Sequence, residues 1–198
     1  KIIGVDDTYK KINITIWPQY RLNYWGITKC ANSAVKSSLM NHNVKNINKR
    51  DKSLHSSKNV TYISQEAALS NNYVNFSVTR DPYERFVSLY KDFGCDRYKA
   101  IGLQDSVSFD YFIDYALEKF PNDNCNIHFK SQSSFIANKY ELLFDNVFDI
   151  SRVPEFLLSY GVNLNYANVS KSQEVILSNV HRQRIFDRYE NDFVLLGY

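Results

Sequence analysis

Tyr73-Val74-Asn75-Phe76-Ser77-Val78-Thr79-Arg80-Asp81-Pro82-Tyr83-Glu84-Arg85-Phe86-Val87-Ser88-Leu89-Tyr90 is the stretch that decides the fold. Tyr73 to Thr79 is rich in β-branched and aromatic residues, the composition of a buried strand. The chain then changes character within two residues. Asp81 is a good helix cap, Pro82 suits the first helical position, and Glu84 stands where a capping box places its acid. Phe86, Leu89, Tyr90 and Phe93 recur at helical spacing and predict one apolar face. A strand that stops at an arginine and turns at once into a helix puts Arg80 at the strand's carboxyl end, where open α/β sheets bind ligands. Ser88 follows about two turns down that helix, so a ligand touching both must lie along it. An ordinary strand–helix unit with surface charges would carry the same caps.

Upstream, Leu22 to Ile27 reads as a second short strand. Thr28-Lys29-Cys30-Ala31-Asn32-Ser33-Ala34-Val35-Lys36 follows, with helix formers to Met40. A strand, a loop of small residues and a helix start make an anion site, because backbone N–H groups and the helix dipole face the ligand. Lys29 adds a mobile full charge. The loop lacks the Gly-x-x-x-x-Gly-Lys-Ser/Thr spacing of a Walker A motif.

The remaining elements alternate. A strand is expected at Ile12 to Ile16, a short helix at Glu66 to Asn71, a loop at Gly94 to Val107 and an amphipathic helix at Phe109 to Phe120. Tyr140 to Phe144 and Val147 to Ile150 read as strands. A helix from Val153 to Tyr160 ends at Gly161, and a long one spans Glu174 to Tyr189 with Val175, Leu177, Val180, Ile185 and Phe186 inward. Asn41 to Asn59 is polar and basic, a surface segment beside the site. This order predicts a three-layer α/β sandwich, a parallel sheet with helices on both faces.

Composition fits one domain over residues 1–198 with a real core: 44% hydrophobic and 15% aromatic residues exclude a disordered chain. A net charge of +3 suits one anionic ligand rather than a nucleic-acid coat. No apolar run is long enough to span a membrane. Cys30, Cys95 and Cys125 are odd in number and scattered, so they give neither a disulfide framework nor a metal set, and Cys30 reads as buried filler. Sequons at Asn13, Asn59, Asn75 and Asn168 are what an Asn-rich chain contains by chance, and Asn75 lies in a core strand.

Arg80 to Tyr90 closely resembles the 3′-phosphate-binding motif of the Golgi-type carbohydrate sulfotransferases and their bacterial relatives, which use 3′-phosphoadenosine 5′-phosphosulfate (PAPS). Thr28 to Ser33 resembles the family's 5′-phosphosulfate loop, with Thr28 in place of the usual proline and Ser33 in place of threonine. Asn126-Ile127-His128-Phe129-Lys130-Ser131-Gln132 resembles its Asn-x-His-Trp-x-Pro-Gln segment, Asn168 to Ser172 its Asn-x-Ser element, and Tyr189 to Tyr198 its closing Tyr-x-x-Asp-Phe element. The resemblance covers Tyr24 to Tyr198 in order.

It implies a P-loop nucleotide-kinase-like fold and in-line sulfuryl transfer from PAPS to a glycan hydroxyl, without a metal. Lys29, Ala31, Asn32, Ser33 and Ala34 would hold the 5′ end, and Arg80, Ser88 and Lys171 the remaining donor contacts. Lys29 would stabilise charge on the leaving group. The base is open among His128, His55 and Glu66; His42 and His181 have no supporting context. Acceptor contacts are expected near Asn41 to Lys58 and Gly94 to Ile101. Many Golgi members carry paired cysteines after the His segment. Phe135 to Phe144 has none, which favours a bacterial-type cytoplasm; the alternative is a Golgi-lumen domain trimmed from a longer chain. Competing readings are a nucleotide- or small-molecule-kinase-like enzyme and a non-catalytic glycan- or nucleic-acid-binding module.

Overall fold

The computed structural model describes residues 13–40, 60–139, 141–164 and 174–198. His55 and the rest of the basic segment, and Lys171 with its Asn-x-Ser element, lie outside the described residues.

Strand β1 (Asn13–Trp17) pairs antiparallel with β2 (Leu22–Gly26) across the turn from Pro18 to Arg21. Helix α1 (Asn32–Leu39), the short edge strand β3 (Thr61–Tyr62) and α2 (Gln65–Ser70) follow. The quoted stretch forms β4 (Val74–Thr79) and α3 (Pro82–Leu89). Next come α4 (Phe109–Lys119), α5 (Ser133–Ile136), β5 (Asn146–Asp149), α6 (Val153–Leu158) and α7 (Asn179–Leu196). The five strands lie in the order β3-β1-β2-β4-β5.

The sheet is mixed rather than parallel. β2, β4 and β5 run parallel, but β1 is antiparallel to both β2 and β3. The reason is length. Only Pro18 to Arg21 separate β1 from β2, and a parallel crossover needs a dozen residues or more. Helices cover both faces, as expected. On one face the amides of Asn23 and Asn75 donate to the Ala68 carbonyl of α2, each at 3.1 Å. On the other, Phe156 of α6 packs on Phe76 and Phe148 at 4.9 and 4.6 Å between ring centroids. Alternation along the strands sorts these residues by face.

Asp81 caps α3 by accepting from the Glu84 N–H at 3.0 Å, with Pro82 in the first turn. The Glu84 side chain does not close a capping box; it turns back to Arg80 instead. Phe86, Leu89, Tyr90 and Phe93 are all buried, in a second core with Phe112, Phe129, Ile185, Tyr189 and Phe193. This core joins α3, α4 and α7 beside the sheet's own core.

Three expectations change. Gly94 to Val107 is not all loop, because a π-helical turn (Tyr90–Asp96) extends α3 and a 3-10 turn (Tyr98–Ile101) follows. Residues 141–144 form no strand; Leu142 makes only an isolated bridge to Ala137. The last helix starts at Asn179, where Ser178 and His181 form the capping box, and runs through a kink at Tyr189 to Leu196. Val180 is consequently 67% exposed rather than inward.

Candidate active site

The parallel strands β2 and β4 lie inside the sheet and end side by side, so the loop after β2 and Arg80 after β4 meet at the sheet's carboxyl end. Gly26 closes β2 at a tight approach: a Cβ there would lie 2.6 Å from the Asn32 Oδ1. Lys29 and Ala31 take left-handed backbone (φ 66° and 54°), which side chains other than glycine adopt at a cost and which clusters at ligand sites. Ala31 occupies the cap position of α1 and supplies no side-chain bond, and no acid lies in the first turn. Among the described residues, no side chain caps the first N–H groups of α1, those of Asn32, Ser33 and Ala34 included. The Asn32 Oδ1 is buried without a partner among the described residues. An uncapped helix start flanked by cations is suited to an anion.

Three residues that the sequence did not single out, Gln132, Asp192 and Arg85, brace this loop and Arg80. Gln132 is fully buried. Its Oε1 accepts from the Arg80 N–H at 2.9 Å and lies 3.1 Å from the Cys30 thiol, and its Nε2 donates to the Arg80 carbonyl at 2.8 Å. Asp192 holds Gln132 in turn, accepting at 2.8 Å from the N–H groups of Gln132 and Ser133. Burial pushes the Asp192 carboxyl up, against the pull of Arg85. Burial likewise raises the Cys30 thiol to about 12, so it stays a neutral donor. Arg85, also buried, donates to the Thr28 carbonyl and the His128 carbonyl, each at 3.1 Å. Beyond them, the Tyr198 hydroxyl joins Thr79 (2.9 Å) to Asp149 (3.0 Å) at the ends of β4 and β5.

The cations each hold a carboxylate. Arg80 Nε donates to Glu84 at 3.1 Å, in an open pair on the first turns of α3. Lys29 Nζ meets Asp92 at 3.0 Å, and both side chains are only 19% exposed. Arg97 grips both oxygens of Asp92, Nε at 2.6 Å and Nη2 at 2.5 Å. Burial pushes the Lys29 ammonium down, opposed by Asp92. Burial alone would raise Asp92, but hydrogen bonds and charge from Arg97 and Lys29 pull it to about 2. His128 faces the same cluster, with its ring edge-on to Phe93 at 4.9 Å. Burial and the cations Arg97, Lys29 and Arg85 press it to about 4, against Asp92. Its Nδ1 is buried without a partner among the described residues.

The structure thus brings together Lys29, Ala31, Asn32, Ser33, Ala34, Arg80 and His128. Ser88 sits half-buried on α3. Glu66 does not join them: it is exposed in the first turn of α2, hydrogen-bonded to Ser64 of its own cap. His181 pairs with Asp110 at 2.8 Å across α4 and α7. Among the described residues no group of His, Cys, Asp and Glu is placed to hold a metal, and no helix is long and apolar enough to cross a membrane.

A mixed α/β sheet thus sets a small-residue loop with an uncapped helix start, after one parallel strand, beside a capped Arg-Asp-Pro helix after its neighbour, an arrangement suited to an anionic ligand. The model of the sulfotransferase family matches residues 13–148, which hold β1 to β4, β5 up to Phe148, and both loops. The chain belongs to the sulfotransferase family, whose reaction is sulfuryl transfer. No curated protein and no solved structure matches it.

Proposed function

We propose that the chain is one sulfotransferase domain of P-loop-like design that moves a sulfuryl group from PAPS to a hydroxyl of a glycan. The observation that carries this reading is the Gln132–Arg85 stitching. It holds an uncapped helix start and an arginine, which follow neighbouring parallel strands, side by side at the sheet's carboxyl end, and this supports a reading as two cradles. A donor with phosphates at both ends needs such a pair, and PAPS supplies the activated sulfuryl group when bound.

Each residue then has a task. The N–H groups of Asn32, Ser33 and Ala34, with Ala31 opening the turn, hold the 5′ end. Arg80 and Ser88 take the 3′-phosphate, with Lys171 completing the donor contacts. Lys29 sits where negative charge grows as the bridging S–O bond breaks. His128, neutral at pH 7 and with a ring nitrogen that has no partner among the described residues, accepts the acceptor hydroxyl's proton; His55 is the other base candidate. The glycan is the family's type of acceptor, and the aromatic and basic residues after α3 are suited to it.

Calorimetric titration with the desulfated product, 3′-phosphoadenosine 5′-phosphate (PAP), tests the reading. Micromolar binding is expected for the native protein. Arg80→Ala is expected to weaken it by about 30-fold or more, the cost of charge-assisted bonds to a phosphate. Absence of binding by the native protein would sink the donor assignment.

A further inference from the structure

Lys29 is paired with a largely buried carboxylate, and that partner decides what releasing the lysine costs. Resting on the donor reading above, we propose that Asp92 is the positioning residue for Lys29. It holds the ammonium in the donor-free protein and hands it to the arriving anion.

The geometry makes the hand-off possible because Asp92 has two cations and Lys29 has one carboxylate. Lys29 Nζ lies 3.0 Å from Asp92, the one ion pair it makes among the described residues. Were Asp92 held by Lys29 alone, releasing the lysine would strand a largely buried carboxylate, which is strongly unfavourable. Arg97 removes that penalty, since its fork spans both Asp92 oxygens and keeps them paired after Lys29 leaves. Arg97 is itself fixed, with its guanidinium 4.4 Å over the Phe93 ring and its N–H on the Asp92 carbonyl at 2.6 Å. That last bond closes the wide helical turn after α3, which places Asp92 opposite the loop. On the other side, the left-handed backbone of Lys29 fixes where its side chain starts. The lysine therefore exchanges one anion for another without leaving a bare charge at either end.

Competition has a sign that general damage lacks. Removing the Asp92 charge frees Lys29 for the donor, so Asp92→Asn and Asp92→Ser are expected to bind PAP about three- to tenfold more tightly than the native protein. Asp92→Glu keeps the charge and is expected to bind like the native protein. In a Lys29→Ala background the tightening should shrink to the small residue left by removing one negative charge near an anion. Unchanged or weaker PAP binding in both charge-free variants overturns the hand-off alone, as does equal tightening with and without Lys29. No PAP binding by the native protein overturns the donor reading and the hand-off together.

Discussion

The two cradles hold their cations in opposite ways. Arg80 pairs with Glu84, a carboxylate 63% exposed on the surface of α3, in a bond that water and salt can replace. Lys29 pairs with Asp92, 19% exposed and pinned from behind by Arg97. The open half suits a group that must bind and leave intact. The closed half suits the end where bonds change, because charge there is worth more when water is scarce. On the proposed reading the same division separates affinity from chemistry: Arg80 should govern how tightly the donor sits, and Lys29 how fast the sulfuryl group leaves.

The largest effect that can break this division is Lys29→Ala. Loss of the closed-half cation is expected to cut turnover by about 10²- to 10³-fold, the scale for removing one preorganised donor from a developing charge. Affinity for PAP, which lacks the sulfuryl group, should change far less than in Arg80→Ala. Steady-state turnover and calorimetry on the two variants make the comparison. If Lys29→Ala loses affinity and keeps turnover, the halves have been assigned the wrong way round.

His128 sharpens the contrast from the side of pH, since it belongs to the closed half. Its folded pKa is about 4, below the 6.5 of a free histidine. The unfolded chain therefore takes up a proton that the folded one refuses. The stability this contributes is full above about pH 6.5 and is lost as pH falls toward about 4, after which the loss levels off. The amount is on the order of 3 kcal/mol. Denaturant unfolding from pH 7 to pH 4 should show this acid loss in the native protein and a clearly smaller one in His128→Gln, where the lowered carboxylates such as Asp92 still contribute. Equal acid slopes in the two proteins would mean that His128 is open to water.

What could be read from the sequence was local. Asp81, Pro82 and the Phe86–Leu89–Tyr90–Phe93 face are signals within one or two turns, and all of them hold in the fold. Gly94 was legible only as a breaker, whereas its role is packing: a Cβ there would lie 2.5 Å from the Tyr90 ring, so the glycine lets the helical turn continue. Val180 has the right helical spacing, but Ser178 starts α7 one residue before Asn179 and turns Val180 to solvent. The antiparallel β1 was hidden by reading element types without connection lengths. In the site, Lys29, Arg80 and His128 carried motif words, while Gln132, Arg85 and Asp92 act across gaps of 43 to 102 residues, which no spacing rule spans. Gln132, Arg85 and Asp192 did stand in segments of family resemblance, but their task is to hold backbone, and a motif does not say which of its residues touch ligand.

Glu84→Gln tests the open half at the smallest scale. The pair it removes is an exposed one four residues apart on a helix, worth about 0.3–0.5 kcal/mol. Asp81 remains as the cap, so α3 keeps its start, and stability should shift by no more than about 0.5 kcal/mol. Freed from Glu84, Arg80 is expected to bind PAP at most about twofold more tightly, an advantage that salt erases. Asp92→Asn should exceed this and persist better in salt, because its carboxylate is screened by protein rather than by solution. Parallel titrations at low and at physiological ionic strength decide the matter. If Glu84→Gln tightens PAP as much as Asp92→Asn at both, burial is not what separates the two cradles, and the competition for Lys29 is no stronger than that for any surface cation.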